Sequence, residues 1–556
     1  MAPRAFEMAG LAGVVLLAAA LRLANLPARG GWDADQGTEM LALRSALQNH
    51  QLLTFGPLAS IGTFHHGGLS RDLWLPAAWL GNGDPTFILV QTAILGVLVV
   101  VLVWWISRTI GGSVAGFVAG LLAAVSASLI GYSTFLWNPT LIEPGAAVAY
   151  AAAWQAWRTG QGRWWLVAAA GGAVAFQSHV TAAVVFVPLV AVFGACVRRA
   201  PAGERRRVLA WGLAGIGLVI LTFVPLFVYE LGHGFAETRG MLGYLSGSGE
   251  AAQHDPLTAM FVVTIRILAW PLTRWPLVDL LPAFLPALVV AVSLAIGLLW
   301  RVVATRAHGP RAAQTADESV AGPGSLSGSG SLSGSGLLPA RPDSGEAGVD
   351  ETAVERAGVR FVGGALALLV LTLGLGLHAA SEVQALPTEQ YHVVADPLVV
   401  VGAGLVVAGL WRAVPRQGPA WLGRAAAAMA MILLIAWNVA HWPSWTAYDG
   451  GWPAAQQAAT RLERDAGGNP IALVALFEAK GSNAYGYPLL RDGATLIAPD
   501  GASTVVLLCD TFWLSGCGGP AEQGWCLTNA AGSGLILVDR FWAAPDRLMS
   551  VYRRSP

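Results

Sequence analysis

The chain has 556 residues, of which 55% are hydrophobic and only 12% are charged, and its formal net charge at pH 7 is zero. Soluble domains carry about 25% charged residues. This composition, with a mean hydropathy of +0.57, therefore excludes an ordinary soluble protein and indicates a polytopic membrane protein. The zero net charge removes the electrostatic reason to expect a nucleic-acid partner.

About eleven apolar runs have the length that a membrane-spanning helix needs. The shortest, at residues 164–178, can also be interpreted as one bent segment with its neighbour. For the first run a cleaved signal peptide is the alternative; we predict an uncleaved span, because the topology and the loop that follows require that helix. The runs lie at residues 8–26, 86–107, 110–131, 139–157, 164–178, 180–197, 208–230, 280–300, 361–379, 391–411 and 424–440.

Arginines fall at alternate ends of these runs, and the positive-inside rule assigns such ends to the cytoplasm. Residues 27–85, 231–279 and 380–390, and everything after 441, are then predicted to face outward. The arginines are Arg108, Arg158, Arg163, Arg198, Arg199, Arg205, Arg206, Arg207, Arg301, Arg306, Arg356, Arg360, Arg412, Arg416 and Arg424.

Composition divides the chain into four predicted regions. Residues 1–301 form an N-terminal transmembrane module with a long first outer loop, 27–85. Residues 302–357, with the run SGSGSLSGSG, have the composition of a disordered cytoplasmic linker. Residues 358–440 hold the last membrane helices, and residues 441–556 alternate helical and β-rich runs. The predicted fold class is thus mainly α, a polytopic membrane helix bundle with a small external α/β domain.

Three of the four cysteines lie in the predicted external domain, where disulfides persist. Cys517 and Cys526 flank a Gly/Pro-rich loop and are our first choice for a pair. Cys509 is the third cysteine, so the connectivity is open, and the alternative is that none is bonded. Cys196, at a cytoplasmic helix end, is predicted to be a free, buried thiol.

The segment GWDADQG places two carboxylates, Asp33 and Asp35, directly after the first apolar run. Charge at a membrane boundary is costly unless it is used, so the pair is a candidate functional site. The alternative is that both are solvated loop residues. In the same loop, the spacing of Met40, Leu43 and Leu47 predicts a short helix lying in the membrane interface.

Polar residues of the membrane segments lie near the predicted outer ends of their helices. This asymmetry predicts a cavity that opens outward, lined by Glu143, His179, Tyr391 and His392 among others. The alternative for each one is a helix cap or a snorkelling side chain. The full set is Arg22, Asn25, Gln91, Glu143, Gln177, His179, Tyr229, Glu230, His233, Glu382, Glu389, Tyr391, His392 and Asp396.

Several motifs, in order, resemble one family of membrane enzymes. The outer loop contains DADQGTEMLALRSAL and LLTFGPLASIGTFHHGGL, and later segments are FLWNPT, QSHVTA and QYHVVADP. This is similar to the glycosyltransferases of the C-type membrane fold (GT-C) that use polyprenyl-phosphate sugars, especially family 39-like enzymes such as protein O-mannosyltransferases and aminoarabinose transferases. Asp35–Gln36 fits the family's acidic residue followed by Glu or Gln. The chain differs at Arg71–Asp72, where many relatives have aromatic residues, and at Gln390, where many have Arg.

The resemblance implies a multi-pass enzyme of the bacterial plasma membrane that moves a sugar from a polyprenyl-phosphate donor to an acceptor hydroxyl on the outer face. The acceptor is a lipid, a glycan or a protein, and membrane lipids surround the enzyme. Because the lipid phosphate is a good leaving group, such a site needs a base for the acceptor and partners for the phosphate. Asp35 is our candidate base, with Asp33 as second choice or helper.

The remaining predicted site residues concern phosphate and metal. A divalent metal held by Asp33, Asp35 and a histidine is possible, although the spacing matches no recognised ligand set. The candidate phosphate ligands are Arg71, His65, His66, Arg266 and Arg274.

Two other functions are alternatives to the transferase. The first is a transporter or flippase of lipid-linked sugars, and the second is a structural subunit or receptor.

Overall fold

Helices dominate the chain up to Ala440. The structure is a computed structural model, and it describes residues 2–59, 64–245, 256–274, 284–307, 351–379, 391–413, 419, 421–477 and 481–555. The helices before Ala440 are α1 (Ala2–Leu23), α2 (Leu26–Arg29), α3 (Ala34–Asn49), α4 (Leu69–Leu80), α5 (Pro85–Val125), α6 (Ala127–Tyr132), α7 (Ile142–Thr159), α8 (Trp164–Ser178), α9 (Phe186–Arg199), α10 (Ala202–Thr222), α11 (Val224–Gly232), α12 (Ala236–Leu245), α13 (Pro256–Thr273), α14 (Phe284–Ala307), α15 (Glu351–Ala379), α16 (Asp396–Arg412) and α17 (Trp421–Ala440).

Within the described residues, seven helices are long and apolar enough to cross a membrane, and the bent pair of α10 and α11 makes eight. The predicted membrane helix bundle is confirmed, and in the part of the chain that the structure describes each of the eleven apolar runs is mainly helical. α5 joins two of the runs across Gly112, whose φ of 78° interrupts the helix. α7 and α8 hold two more, but they have only 18 and 15 residues, or about 27 and 22 Å. Not every run is therefore a complete span.

Residues 231–279, predicted as an outer loop, contain the apolar helix α13. The Phe261 ring lies 6.5 Å from that of Phe284 at the start of α14. Near its other end, the Trp437 indole of α17 donates a hydrogen bond to the Thr273 carbonyl at 2.8 Å. α14 to α17 alternate in direction, so the start of α14 and the end of α17 lie on the same side of the bundle. Both ends of α13 therefore lie on that side, and α13 does not change the side from which the chain continues. Sequence inspection missed it because an arginine interrupts an apolar run of only 18 residues.

The first outer loop folds as α3, a hairpin of β1 (Phe55–Leu58) and β2 (His65–Gly67), and α4. Met40 and Leu43 on α3 are 1% and 0% exposed. They belong to one apolar cluster with residues of the C-terminal region, among them Trp452. The predicted helix therefore exists, but its apolar face packs on protein, which corrects the prediction of a helix lying in the membrane interface.

The C-terminal region has a mixed four-stranded sheet in the order β3–β4–β6–β5. β3 and β4 are parallel and the other pairs are antiparallel, with Val506 opposite Val551. The predicted small α/β region is thus present. Its elements are α18 (Gly451–Ala466), β3 (Ile471–Ala475), α19 (Asn483–Asp492), β4 (Thr504–Asp510), α20 (Pro520–Thr528), β5 (Leu535–Ala544) and β6 (Arg547–Arg554).

The disulfide prediction was wrong in its pairing. Cys509 bonds to Cys517, with a Cα–Cα distance of 5.6 Å that is usual for disulfides. Cys526 is free and half-buried, as is Cys196. The reason is that Cys509, near the end of β4, is followed by a tight turn that returns the chain to it, whereas Cys526 lies on α20 against a separate apolar cluster.

The predicted linker 302–357 is shorter than its composition suggested, because α14 continues to Ala307 and α15 begins at Glu351. Residues 308–350, which include the Gly/Ser run, lie outside the described residues. So do Glu382, Glu389 and Gln390.

Candidate active site

A polar cavity of about 220 Å³ lies at the end of the bundle that carries the outer loop. α3, the β1–β2 hairpin, the turn before α7 and the segment after α8 form its walls. Five predicted site residues line it, together with Glu39, which had not been predicted. The lining is Asp35, Thr38, Glu39, Pro57, Leu58, Ala59, Phe64, His66, Arg71, Trp137, Asn138, Pro139, His179, Val180, Thr181 and Tyr391.

Asp35 lies in the first turn of α3, and a capping box fixes where that turn begins. The Ala34 N–H donates to the Asp33 carboxylate at 2.7 Å, and the Asp33 N–H donates to the Gln36 amide oxygen at 2.9 Å. Gln36 also donates to the Leu136 carbonyl at 2.9 Å, which ties α3 to the cavity wall. The Asp35 side chain is exposed and has no hydrogen-bond or ion-pair partner in the part of the chain that the structure describes. It is therefore available to a substrate.

Asp33, predicted as the second-choice base, has a structural position instead of a catalytic one. Its carboxylate caps α3 and lies 3.4 Å from Arg547 of the C-terminal region. Arg547 also donates to the Trp32 carbonyl at 2.7 Å. Asp33 does not line the polar cavity, so its groups hold the fold together.

This arrangement does not fit the possible metal site. Asp33 is committed to the cap and to Arg547, and the described residues contain no group of three His, Cys, Asp or Glu side chains placed to hold a metal ion. The donor set for a divalent metal is therefore not assembled there among the described residues.

Arg71 is bound on all sides by the protein itself. Its Nε and Nη2 donate to the two Glu39 carboxylate oxygens, both at 2.7 Å, and its Nη1 donates to the carbonyls of Phe55 and Gly56 at 3.1 and 3.0 Å. Such a two-pronged pair is strong and directional. Arg71 thus fixes the hairpin against α3, and few of its N–H groups remain for the predicted phosphate.

Two histidines and a tyrosine form a row of rings along the cavity. The rings of His66 and His179 lie 4.8 Å apart, and those of His179 and Tyr391 lie 5.4 Å apart. Burial, then the nearby His65 and Arg71, lower the pKa of His66 to about 4. His66 is therefore neutral near pH 7 and offers a ligand one N–H donor without a positive charge.

A second cavity of about 230 Å³ adjoins the first and shares Phe64, His66 and Val180 with it. Its walls are mainly apolar, with Phe176, Phe223, Leu226 and Met241. The polar cavity thus opens beside an apolar one, and His66 lies on their boundary.

His65 and Arg274, two other predicted phosphate ligands, have protein partners away from the polar cavity. The His65 N–H donates to Glu237 at 2.6 Å, and its ring nitrogen lies 3.0 Å from the same carboxylate. Arg274 donates to the His441 carbonyl at 3.2 Å.

Glu143, His392 and Arg266 belong to a buried group of ionisable side chains. Arg266 donates to the His392 ring at 2.8 Å, and Glu143 faces Arg22 and Asp396. All five are at most 2% exposed. None lines the polar cavity, which corrects the prediction for Glu143 and His392 and shows Arg266 in a packed helix instead of a loop.

Glu39 is the site residue that sequence inspection missed. It lies four residues after Asp35 on α3, so the two share one helix face. That spacing could have identified Glu39 as a neighbour of Asp35. It was missed because the apolar residues of the same helix predicted a position in the membrane interface.

Comparison with known proteins identifies the class. The profile of the family described as dolichyl-phosphate-mannose-protein mannosyltransferase matches residues 73–229. ArnT from Cupriavidus metallidurans in the apo state shares 12% identity over 99% of this chain and 98% of its own, with a TM-score of 0.55. ArnT bound to undecaprenyl phosphate shares 14% identity over 97% of both chains, with a TM-score of 0.51. The chain is a membrane glycosyltransferase of the GT-C fold. No curated protein sequence matches it significantly.

The family match covers only part of this glycosyltransferase. The matched segment supplies Trp137, Asn138 and His179 of the cavity wall, but it begins after Asp35 and His66. The match and the fold favour the transferase over the transporter, while the roles of the outer-loop residues depend on their geometry.

Proposed function

We propose that this glycosyltransferase moves a sugar from a polyprenyl-phosphate donor to the hydroxyl of a lipid, glycan or protein acceptor, with Asp35 as the general base. The observation that carries the proposal is the position of Asp35, which is exposed, unpartnered among the described residues and on the wall of a cavity that adjoins an apolar one. Undecaprenyl phosphate is the ligand of the ArnT structure with a matching fold, which supports the same class of lipid here.

In the proposed reaction the acceptor oxygen attacks the anomeric carbon of the sugar. The bond from that carbon to the phosphate oxygen breaks, and the lipid phosphate leaves with the electron pair. Asp35 takes the proton of the acceptor hydroxyl. No general acid is needed, because the departing phosphate is stable as an anion.

We place the lipid of the donor in the apolar cavity and its phosphate at the boundary, where the neutral His66 donates a hydrogen bond. Arg71 acts indirectly by fixing Glu39 and the hairpin. Arg266 and Arg274 line neither cavity and have no part in this donor site.

We further propose that the site and the C-terminal region lie on the outer face of a bacterial plasma membrane. The arginine distribution supports this orientation through the positive-inside rule. Mass spectrometry of the glycans on wild-type and deletion cells would identify the acceptor.

The test compares Asp35→Asn with Asp33→Asn. Asparagine keeps the size of aspartate but cannot accept the acceptor proton, so turnover of Asp35→Asn should fall by about 10²–10⁴-fold, while protein level and donor binding persist. Asp33→Asn should cost much less, because asparagine is also a good helix cap. If both single variants and the double variant transfer sugar at the wild-type rate, the outer loop is not catalytic. If only Asp33→Asn loses activity, Asp33 is the general base and Asp35 is not.

A further inference from the structure

The opposite end of the bundle has a basic cavity of about 800 Å³. Four arginines line it against a single carboxylate, Glu355. Arg412 donates to Glu355 at 2.9 Å, and Arg301 also pairs with Glu355. The negative charge of Glu355 is therefore already compensated by these two arginines. The arginines are Arg108, Arg158, Arg199 and Arg412.

Two of these arginines lack a carboxylate partner among the residues that the structure describes. Arg108 pairs with Glu7. Arg158 instead bonds the Gln155 amide and lies 5.6 Å over a tryptophan ring, and Arg199 lies 5.1 Å over the Trp157 ring. Cation–π contacts hold a guanidinium in place without neutralising it. As far as the described residues go, the cavity thus keeps uncompensated positive charge.

An apolar groove of about 400 Å³ continues from this cavity between α9 and α15. The two share Trp157, Ala353 and Ala357. Small residues such as Ala195 and Gly364 form the groove walls. Arg356 and Arg360 line it near the first turns of α15. The groove is therefore basic at one end and apolar along the rest of its length.

We propose that this groove binds an anionic phospholipid, with an acyl chain along α9 and α15 and the phosphate near Arg158, Arg199 and Arg360. Guanidinium groups form strong charge-assisted hydrogen bonds to phosphate, and basic pockets between membrane helices suit anionic head groups. A free phosphate ion would leave the apolar groove unfilled, and a lipid without net charge would leave the arginines uncompensated. The charge and shape together select an anionic amphiphile at a site distinct from the donor cavity.

The groove permits a closely matched pair of variants. A Cβ added at either Gly364 or Gly363 meets no atom within 4 Å, so both helix positions accept a side chain. Only Gly364 lines the groove. Gly364→Phe should therefore block the acyl chain, whereas Gly363→Phe should fold equally well and bind lipid like the wild type.

A second pair tests the head group. Arg199→Gln should weaken binding about tenfold, the effect of losing one charged hydrogen bond worth about 1.5 kcal/mol. Arg206→Gln removes the same charge from an exposed position of α10 that does not line the cavity, and it should have no effect.

Binding would be measured by native mass spectrometry of the full chain released from nanodiscs of phosphatidylcholine with or without phosphatidylglycerol, and by thermal stabilisation in detergent. We expect retained phosphatidylglycerol in the wild type, in Gly363→Phe and in Arg206→Gln, its loss in Gly364→Phe, and about tenfold weaker binding in Arg199→Gln. Equal retention of phosphatidylcholine, equal stabilisation by inorganic phosphate, or full retention in Gly364→Phe would each overturn the proposal.

Discussion

Asp35 and Glu39 lie one turn apart on α3, and their surroundings give them different roles. Asp35 is exposed and unpartnered among the described residues, whereas Glu39 is 3% exposed and bonded to Arg71. A buried carboxylate needs its partner, because desolvation is costly. One face of α3 therefore carries the proposed base, Asp35, and a buried carboxylate, Glu39, that fixes the cavity wall through Arg71.

The Glu39–Arg71 pair predicts a loss of stability when one partner is removed. Arg71→Ala leaves a buried carboxylate unpaired and should lower the free energy of unfolding by about 3–5 kcal/mol, measured as a reduced thermal midpoint and a smaller folded fraction in size-exclusion chromatography. The double variant Glu39→Leu/Arg71→Met should recover much of it. If Arg71→Ala folds normally but loses donor binding, Arg71 is the phosphate ligand that the sequence suggested.

The neutral state of His66 predicts how donor binding depends on pH. Because burial lowers its pKa to about 4, the ring should stay uncharged between about pH 5.5 and 8 and gain a proton only at lower pH. Donor affinity should then show no step near the ordinary histidine pKa of about 6.5. His66→Gln keeps an N–H donor and should bind donor nearly as well, while His66→Leu should bind about 3–10-fold more weakly. Affinity that rises as the pH falls through 6.5 would contradict the neutral ring.

At the scale of elements, α3 owes its position to helix α19 of the C-terminal region. The Asn483 amide donates to the Thr38 hydroxyl at 2.8 Å, and Gly37 lies against the Asn483 backbone so closely that a Cβ would overlap it. The helix that carries Asp35 therefore rests on a segment more than four hundred residues away in sequence.

This contact gives a matched pair of glycine variants. Gly37→Ala should force α3 away from α19, at a cost of about 1–3 kcal/mol, and should reduce sugar transfer together with the unfolding midpoint. Gly486→Ala lies on α19, where the added Cβ has ordinary contacts at 3.7 and 3.9 Å, and it should be neutral or slightly stabilising. An active, stable Gly37→Ala protein would show that the position of α3 does not depend on this contact.

At the scale of the whole molecule, the outer loop and the C-terminal region share one apolar core. Arg547 adds charge to this junction, with Asp33, Asp449, Asp510 and Asp546 all within 4.0 Å. The two regions that sequence composition separates as 27–85 and 441–556 therefore meet at one interface, which positions the start of α3.

The two cavities at opposite ends of the bundle predict a sided labelling pattern. Gly203 and Gly524 both have open space around a new Cβ; Gly203 lies beside the arginine-rich end and Gly524 in the C-terminal region. In a background with Cys196 and Cys526 changed to serine, an impermeant maleimide should label Gly524→Cys in intact cells and Gly203→Cys only after lysis. Labelling of both before lysis would exclude the proposed orientation.

The sequence by itself determined most of the membrane helices, the presence of α3 and, through a family resemblance, the class of enzyme. Hydropathy, helix length and the spacing of apolar residues are properties of neighbouring residues, so they can be interpreted without knowledge of the fold. The position of polar and charged residues in the outer loop and at outer helix ends, together with the family-like motifs, identified Asp35, His66, His179 and Tyr391 as site candidates. These four residues line one cavity.

Only the tertiary structure decided which charged groups are paired and which are available. Glu39 and Arg71 are 32 residues apart, and Asp33 meets Arg547 from the other end of the chain. The disulfide partner of Cys509 likewise depends on how a turn returns to its strand. Pairing depends on distances that packing sets between remote segments, and no local pattern encodes them. For that reason Arg71 and Asp33 became supporting residues and Asp35 remained available for chemistry.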